Sequence, residues 1–179
     1  MMAQLIKNRA VAPQGDFFQG AVDTWKTLEI ATGETPESVA LPAGDILFPL
    51  AVWQARRNEI ISCHKRIGLL LQPDDRVEEI AGDLDYFVVI AINFPKFVDG
   101  RGYSTASLLR QRHAYRGELR AVGDVLHDQL FFLKRVGFDA WVLKEGKSAD
   151  YAIANGFTTF GEVYQTSADQ PEPHFRRRA

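Results

Sequence analysis

Phe87-Val88-Val89-Ile90-Ala91-Ile92 is an unbroken apolar run, rich in β-branched residues. It offers water no polar face. A strand of this kind is buried on both sides, which is the signature of a central strand in a parallel sheet. Parallel neighbours need crossovers, and the surrounding sequence supplies them. Leu69-Leu70-Leu71 reads as the preceding strand, closed by Gln72-Pro73. Val77, Ile80, Ala81 and Leu84 then recur at helical spacing behind a cap at Asp74 or Asp75. Beyond the central run, Ser104 is placed to cap a helix to about Tyr115. Leu119-Arg120-Ala121-Val122 is the next strand, and Asp124 opens a helix to Val136 that Gly137 terminates. Ala140-Trp141-Val142-Leu143 is a further strand, and Ser148 opens a last helix to about Asn155.

This alternation predicts an α/β fold of about four consecutive βα units with a mainly parallel sheet. Periodicity leaves two shapes open, a partial (β/α) barrel or an open doubly wound sheet. Residues 46–165 form the α/β domain, with Ile46-Leu47-Phe48 as a short strand and Pro49 at the start of a helix to about Asn58. Residues 1–45 read as an irregular segment of the same domain, in which Trp25 to Ile30 alternates like a strand. Residues 166–179 read as a mobile polar tail.

Composition narrows the function classes. The single cysteine, Cys63, excludes an internal disulfide, a four-thiolate iron–sulfur cluster and a cysteine-rich zinc site within one chain. No stretch has the apolar length of a membrane helix, no signal-peptide core opens the chain, and an acidic pI of about 6.1 argues against general nucleic-acid binding. The expectation is a cytoplasmic protein with neither membrane nor nucleic-acid partner. The four histidines show no zinc spacing, and no metal site is assigned.

Charge is unevenly spread. Between Lys96 and Arg120 six Lys or Arg face two acids, a net +4 in a chain of net −2. In α/β folds ligands gather beyond the carboxyl ends of the strands. The loop Asp99-Gly100-Arg101-Gly102-Tyr103-Ser104 lies at such an end. Its glycines, the helix start at Ser104, and the charges of Lys96 and Arg101 suit an oxyanion. The alternative is a surface loop in which Arg101 pairs with Asp99. Arg120 sits within a strand and needs a carboxylate, for which Asp124, Asp128 and Asp99 are candidates. Asp124 and Asp128, four residues apart, would share a helix face. The candidate ligand-binding set is therefore Lys96, Asp99, Arg101, Tyr103, Ser104, Arg120, Asp124 and Asp128. No catalytic residue is assigned. There is no G-x-G-x-x-G and no Walker A sequence.

The blocks Phe94 to Phe97, Asp99 to Ser104, Leu108 to Arg110, Gly117 to Leu126, Asp128 to Phe131 and Gly137 to Ala140 resemble a bacterial family, the domain-of-unknown-function family 934. Pro49-Leu50-Ala51-Val52-Trp53 resembles its upstream block, and the likeness runs from about Ile46 to Gln165. The resemblance implies a role in assimilatory sulfite reduction, under the label of a probable oxidoreductase or accessory protein, with sulfite reductase as a partner. An electron-transfer role would require a borrowed cofactor, such as a flavin whose phosphate sits on the Gly100–Ser104 loop. The reading that follows is an accessory protein binding an anionic ligand or the reductase. The alternative is an enzyme acting on a small anionic substrate at the same strand ends. A sheet with open edges also admits a homodimer.

Overall fold

The computed structural model describes residues 4–11, 15–157 and 163–177. Its centre is one eight-stranded sheet, ordered β2-β1-β8-β7-β6-β5-β4-β3. The strands are β1 (Leu5–Val11), β2 (Gly15–Ala21), β3 (Lys26–Thr27), β4 (Ile46–Pro49), β5 (Ile67–Leu71), β6 (Phe87–Phe94), β7 (Glu118–Gly123) and β8 (Ala140–Val142). From β3 to β8 every neighbour is parallel and in chain order. The apolar run at 87–92 lies near the middle, inside β6. At one edge β1 pairs antiparallel with both β8 and β2. The fold is thus α/β as expected, and of the two shapes it takes the curled half-barrel. Its parallel order is interrupted by an antiparallel hairpin built from residues expected to be irregular. Lys7, Asn8 and Arg9 break the apolar rhythm of β1, so its strand character comes from pairing rather than pattern.

Four helices, α1 (Leu50–Cys63), α2 (Arg101–Ser107), α3 (Leu130–Val136) and α4 (Ala149–Asn155), accompany the described strands. One face of the central strands points into the main core. Leu71, Ile92, Ala121, Trp141 and Ile6 form a continuous row there across five strands, and all are buried. Four helix expectations change. α1 runs on to Cys63 rather than ending near Asn58, across a non-helical Arg56, because Ile60 is buried in the core. The segment after β5 makes two short 3-10 turns, Val77–Ile80 and Leu84–Tyr86, because the three-residue spacing of Val77 and Ile80 suits the tighter period. α2 starts at Arg101, not Ser104, since Asp99 Oδ1 already accepts from the Arg101 amide at 3.2 Å. Its end widens over Leu108–Arg112, where the His113 amide reaches the Leu108 carbonyl. α3 starts at Leu130, after a 3-10 turn at His127–Gln129, so Asp124 and Asp128 do not lie on one α-helix. Gly137 ends α3 at φ +109°, and Ser148 caps α4 by accepting from the Tyr151 amide, both as expected. The tail folds back on α3: Ser167 Oγ donates to the Arg135 carbonyl at 2.6 Å, and the Asp169 amide to the same oxygen at 3.3 Å.

The sheet's two edge strands, β2 and β3, are consecutive in the chain, with only residues 22–25 between them. Eight strands laid flat would span roughly 33 Å. The chain from Ala21 to Lys26 reaches at most about 18 Å. The sheet must therefore curl until its edges come within that reach. Ala21 is paired with Leu5, at the carboxyl-end side of β8, whereas Lys26 is paired with Ile46 at the start of β4. Residues 22–25 consequently run diagonally across the concave face as a strap.

Trp25 fills that face. It is buried against Leu47, Leu70, Val89 and Ala91, with Val122 alongside. Gly68, opposite Leu47 and Val89, is what admits the indole: a Cβ there would stand 2.6 Å from both Trp25 Cζ3 and Leu47 Cδ2. Gly68→Ala should therefore destabilise the protein by about 1–3 kcal/mol through overpacking. In a Trp25→Ala background the same change should cost clearly less, as read by urea denaturation of the four proteins. Equal costs in both backgrounds would mean the strap does not press on β5.

Candidate functional site

The concave face is built in rows, like the inside of a barrel. The lower row is Leu47, Gly68, Val89 and Glu118, and the middle row Pro49, Leu70, Ala91, Arg120, Ala140 and Lys7. Above them Asn93 stands beside Val122 and donates to Gln72 Oε1 at 2.8 Å. Arg120 is thus flanked by two alanines, which leave room for its guanidinium. It is only 1% exposed.

A buried guanidinium needs carboxylates, and Arg120 has two. Glu118 Oε1 accepts from Nε at 2.8 Å and from Nη2 at 2.6 Å, while Asp23 on the strap accepts from Nη1 at 2.5 Å. Lys7 Nζ donates to Glu118 Oε2 at 2.6 Å. Charges alternate along Lys7, Glu118, Arg120 and Asp23 and sum to zero. None of Asp124, Asp128 and Asp99, the partners expected from sequence, takes this place. Glu118 lies two residues from Arg120 and on the same strand face, which is the period-2 signal that could have found it. Asp23 carries no such signal, because its approach depends on the strap.

Burial alone would raise the Glu118 carboxyl. The charge of Arg120 and the hydrogen bonds from Lys7 and Arg120 outweigh it and hold the group below its usual range. A carboxyl depressed in the folded state adds stability above its unfolded value near 4.5, and loses that contribution as pH falls through the folded value.

The rim at the carboxyl ends of the strands carries most of the other residues singled out from sequence. The turns after β6 and β7 do meet there. The Asp124 amide donates to the Phe94 carbonyl at 2.7 Å, and the Phe97 amide to Asp124 Oδ2 at 3.3 Å. Gly123 holds the approach, at φ +96°, where a Cβ would stand 2.5 Å from the Phe94 carbonyl oxygen. Asp124 also pairs with Lys144 at 2.8 Å, and that hydrogen bond is the main cause of its lowered carboxyl pKa. Arg101 is half exposed. It grips Asp99 through Nε at 3.0 Å and Nη2 at 2.7 Å, and its Nη1 reaches Asp74. Lys96 is exposed, Ser104 is exposed within α2, and Asp128 is exposed on the 3-10 turn. Tyr103 is half-buried with its ring edge-on to Phe94 at 5.5 Å, and burial raises its phenol.

The cationic window of the sequence is therefore dispersed in space. Arg101 serves the rim and Arg120 the concave face. Arg110 spends its donors on the carbonyls of Gly137, Tyr115 and Gly117 and on Asp139, tying α2, β7 and α3 together near the amino-terminal ends of the strands. A cleft of about 820 Å³ opens beside it, lined in part by Arg110, Arg116, Lys134, Asp139 and the tail at Ser167 and Asp169. It lies away from the rim. Sequence reasoning singled out neither Asn93 nor the ion-pair role of Lys7. Asn93 was detectable as the first polar residue to end the apolar run.

These features define an α/β half-barrel with a strapped, internally neutralised concave face and a polar rim. Residues 68–175, more than half of the chain, match the family described as bacterial protein of unknown function (DUF934), and the chain belongs to that family. The matched span begins in β5, so the strap lies before it while Arg120 lies within it. Comparison with curated proteins gives no match, and comparison with solved structures gives none either.

The ion-pair chain makes a pH prediction. Glu118→Gln should lower stability at neutral pH and flatten the acid limb of the stability profile, because the carboxyl that titrates there is gone. Chemical denaturation from about pH 3 to about pH 7, which spans the usual carboxylate values, checks this. An acid limb of unchanged slope would place the titrating group elsewhere.

Proposed function

We propose that this chain is an accessory protein of assimilatory sulfite and sulfate reduction, acting through the rim at the carboxyl ends of its strands on sulfite reductase or on an anionic intermediate. The pathway rests on the resemblance to the family. The observation that carries the choice of surface is the loop after β6. It leaves Phe97 44% and Val98 83% exposed, between Lys96 and the half-exposed Arg101. An exposed apolar pair ringed by charged groups has the make-up of a protein-contact patch. Arg101 gives the same patch an anion-binding group. Asp99 fixes its fork, and Asp74, at 88% side-chain exposure, is the partner an incoming oxyanion would replace.

A second reading, an enzyme acting on a small anionic substrate, is favoured by one group. Asp75, in the turn after β5, accepts from the Gln72 amide at 2.7 Å, and burial raises its carboxyl despite that bond. A carboxyl raised by burial beside the Gln72–Asn93 amide pair suits proton transfer. A flavin on the same rim would make this reading an oxidoreductase.

Purification from a native extract separates the two. The accessory reading expects sulfite reductase to co-purify and its turnover to change on addition of the protein; absence of both contradicts it. A yellow preparation with flavin absorbance would favour the enzyme. In a melting assay, sulfite should stabilise the wild type more than Arg101→Ala, and equal shifts would remove Arg101 from the site.

A further inference from the structure

We infer that Arg120 is the floor of a small-anion site on the concave face, that Asp23 occupies it as a built-in ligand, and that the strap opens when an external carboxylate or oxyanion takes the place of Asp23. The site is separate from the rim, so its failure would leave the proposed docking surface untouched.

Four observations carry this inference. First, a buried ion pair contributes little net stability compared with a well-packed apolar side chain, so a guanidinium held between Ala91 and Ala140, in a row whose one other charged residue is Lys7 beyond Ala140, calls for a further role. Second, the two partners of Arg120 differ in kind. Glu118 is fixed on the same strand, whereas Asp23 comes from residues outside any strand or helix. Third, Trp25 anchors one end of the strap in the core, and the residues ahead of it are lightly held. Val22 is 88% exposed, Thr24 is exposed with its hydroxyl donating to Asp45 Oδ2 at 3.0 Å, and Asp23 keeps 27% side-chain exposure. The outer side of the Asp23 carboxylate is thus open to solvent, while Arg120 behind it is covered. Fourth, the charges fix the sign of the ligand. With Asp23 withdrawn, Lys7, Arg120 and Glu118 leave a net +1, which a monoanion restores to neutrality. The Arg120 Nη1 donor then faces the vacated position with no other acceptor among the described residues.

The tether gives Asp23 a high effective concentration, so an external anion binds weakly unless it is abundant or makes further contacts. One reporter sits inside the strap. The Trp25 amide donates to Asp23 Oδ1 at 3.0 Å, and displacement of Asp23 releases it.

The test follows exchange of the Trp25 amide in the wild-type protein, in acetate and separately in sulfate, against chloride at equal ionic strength. The inference expects exchange to accelerate by about tenfold or more at saturating anion. Acceleration by acetate alone would define a carboxylate site, and by sulfate alone a tetrahedral-oxyanion site. Asp23→Ala, which removes the internal competitor, should bind the same anion more tightly than wild type, with saturable thermal stabilisation that Asp23→Ala/Arg120→Met lacks. Exchange at Trp25 that is unchanged or slowed overturns the inference, as does a folded Asp23→Ala protein that gains no more from either anion than from chloride. Should Asp23→Ala fail to fold, the wild-type exchange decides alone.

Discussion

The Asp23–Arg120 contact and the strap that delivers it hold the architecture together. A chain that places its second and third strands on opposite edges of an eight-stranded sheet, with four residues between them, has no flat solution. Curling is imposed by reach. Once the sheet curls, its inner face must be filled, and a half-barrel lacks the opposing strands that fill a closed one. Here the strap does the filling: Trp25 covers the aliphatic half of the face, and Asp23 neutralises the guanidinium in the other half. Small residues at Gly68, Ala91 and Ala140 make the space for both.

Much of this was legible in sequence and some was not, for physical reasons. The parallel core could be read because β5 and β6 are apolar runs separated by turn chemistry, and β7 alternates around Leu119 and Ala121; burial followed except at Val88, which is 42% exposed. Gly137 and Ser148 were legible because helix ends obey local rules. The β1–β2 hairpin was not, because polar residues break the rhythm of β1, and Lys7 is accommodated there by Glu118 from a distant strand. The helix start at Ser104 was misplaced because Asp99 captures the Arg101 amide earlier, and two local caps compete at that loop. Most informative is Arg120. The need for a carboxylate partner was evident from its type and strand position, but the partners were not. Glu118 was available from strand periodicity. Asp23, 97 residues away in the chain, is brought there only by the strap.

The same lesson applies to charge. A run of cations along the chain suggested one anion-binding surface, yet the fold sends Arg101, Arg110 and Arg120 to three different places, each with its own carboxylate. What remains for recognition is local: a half-exposed fork at the rim beside Phe97 and Val98, and a buried fork under a removable carboxylate. Both forks are partly pre-oriented by a fixed acid, Asp99 in one case and Glu118 in the other. Pre-orientation lowers the entropy lost when a ligand binds.

The central claim is that Asp23 and Arg120 are energetically coupled across the strap, and a double-mutant cycle measures that coupling directly. Urea denaturation of wild type, Asp23→Asn, Arg120→Met and the double variant should give an interaction energy of about 1–3 kcal/mol, with Asp23→Asn costing little once Arg120 is gone. Additive costs within about 0.5 kcal/mol would show that the strap crosses the concave face without being held by this pair, and would contradict the account.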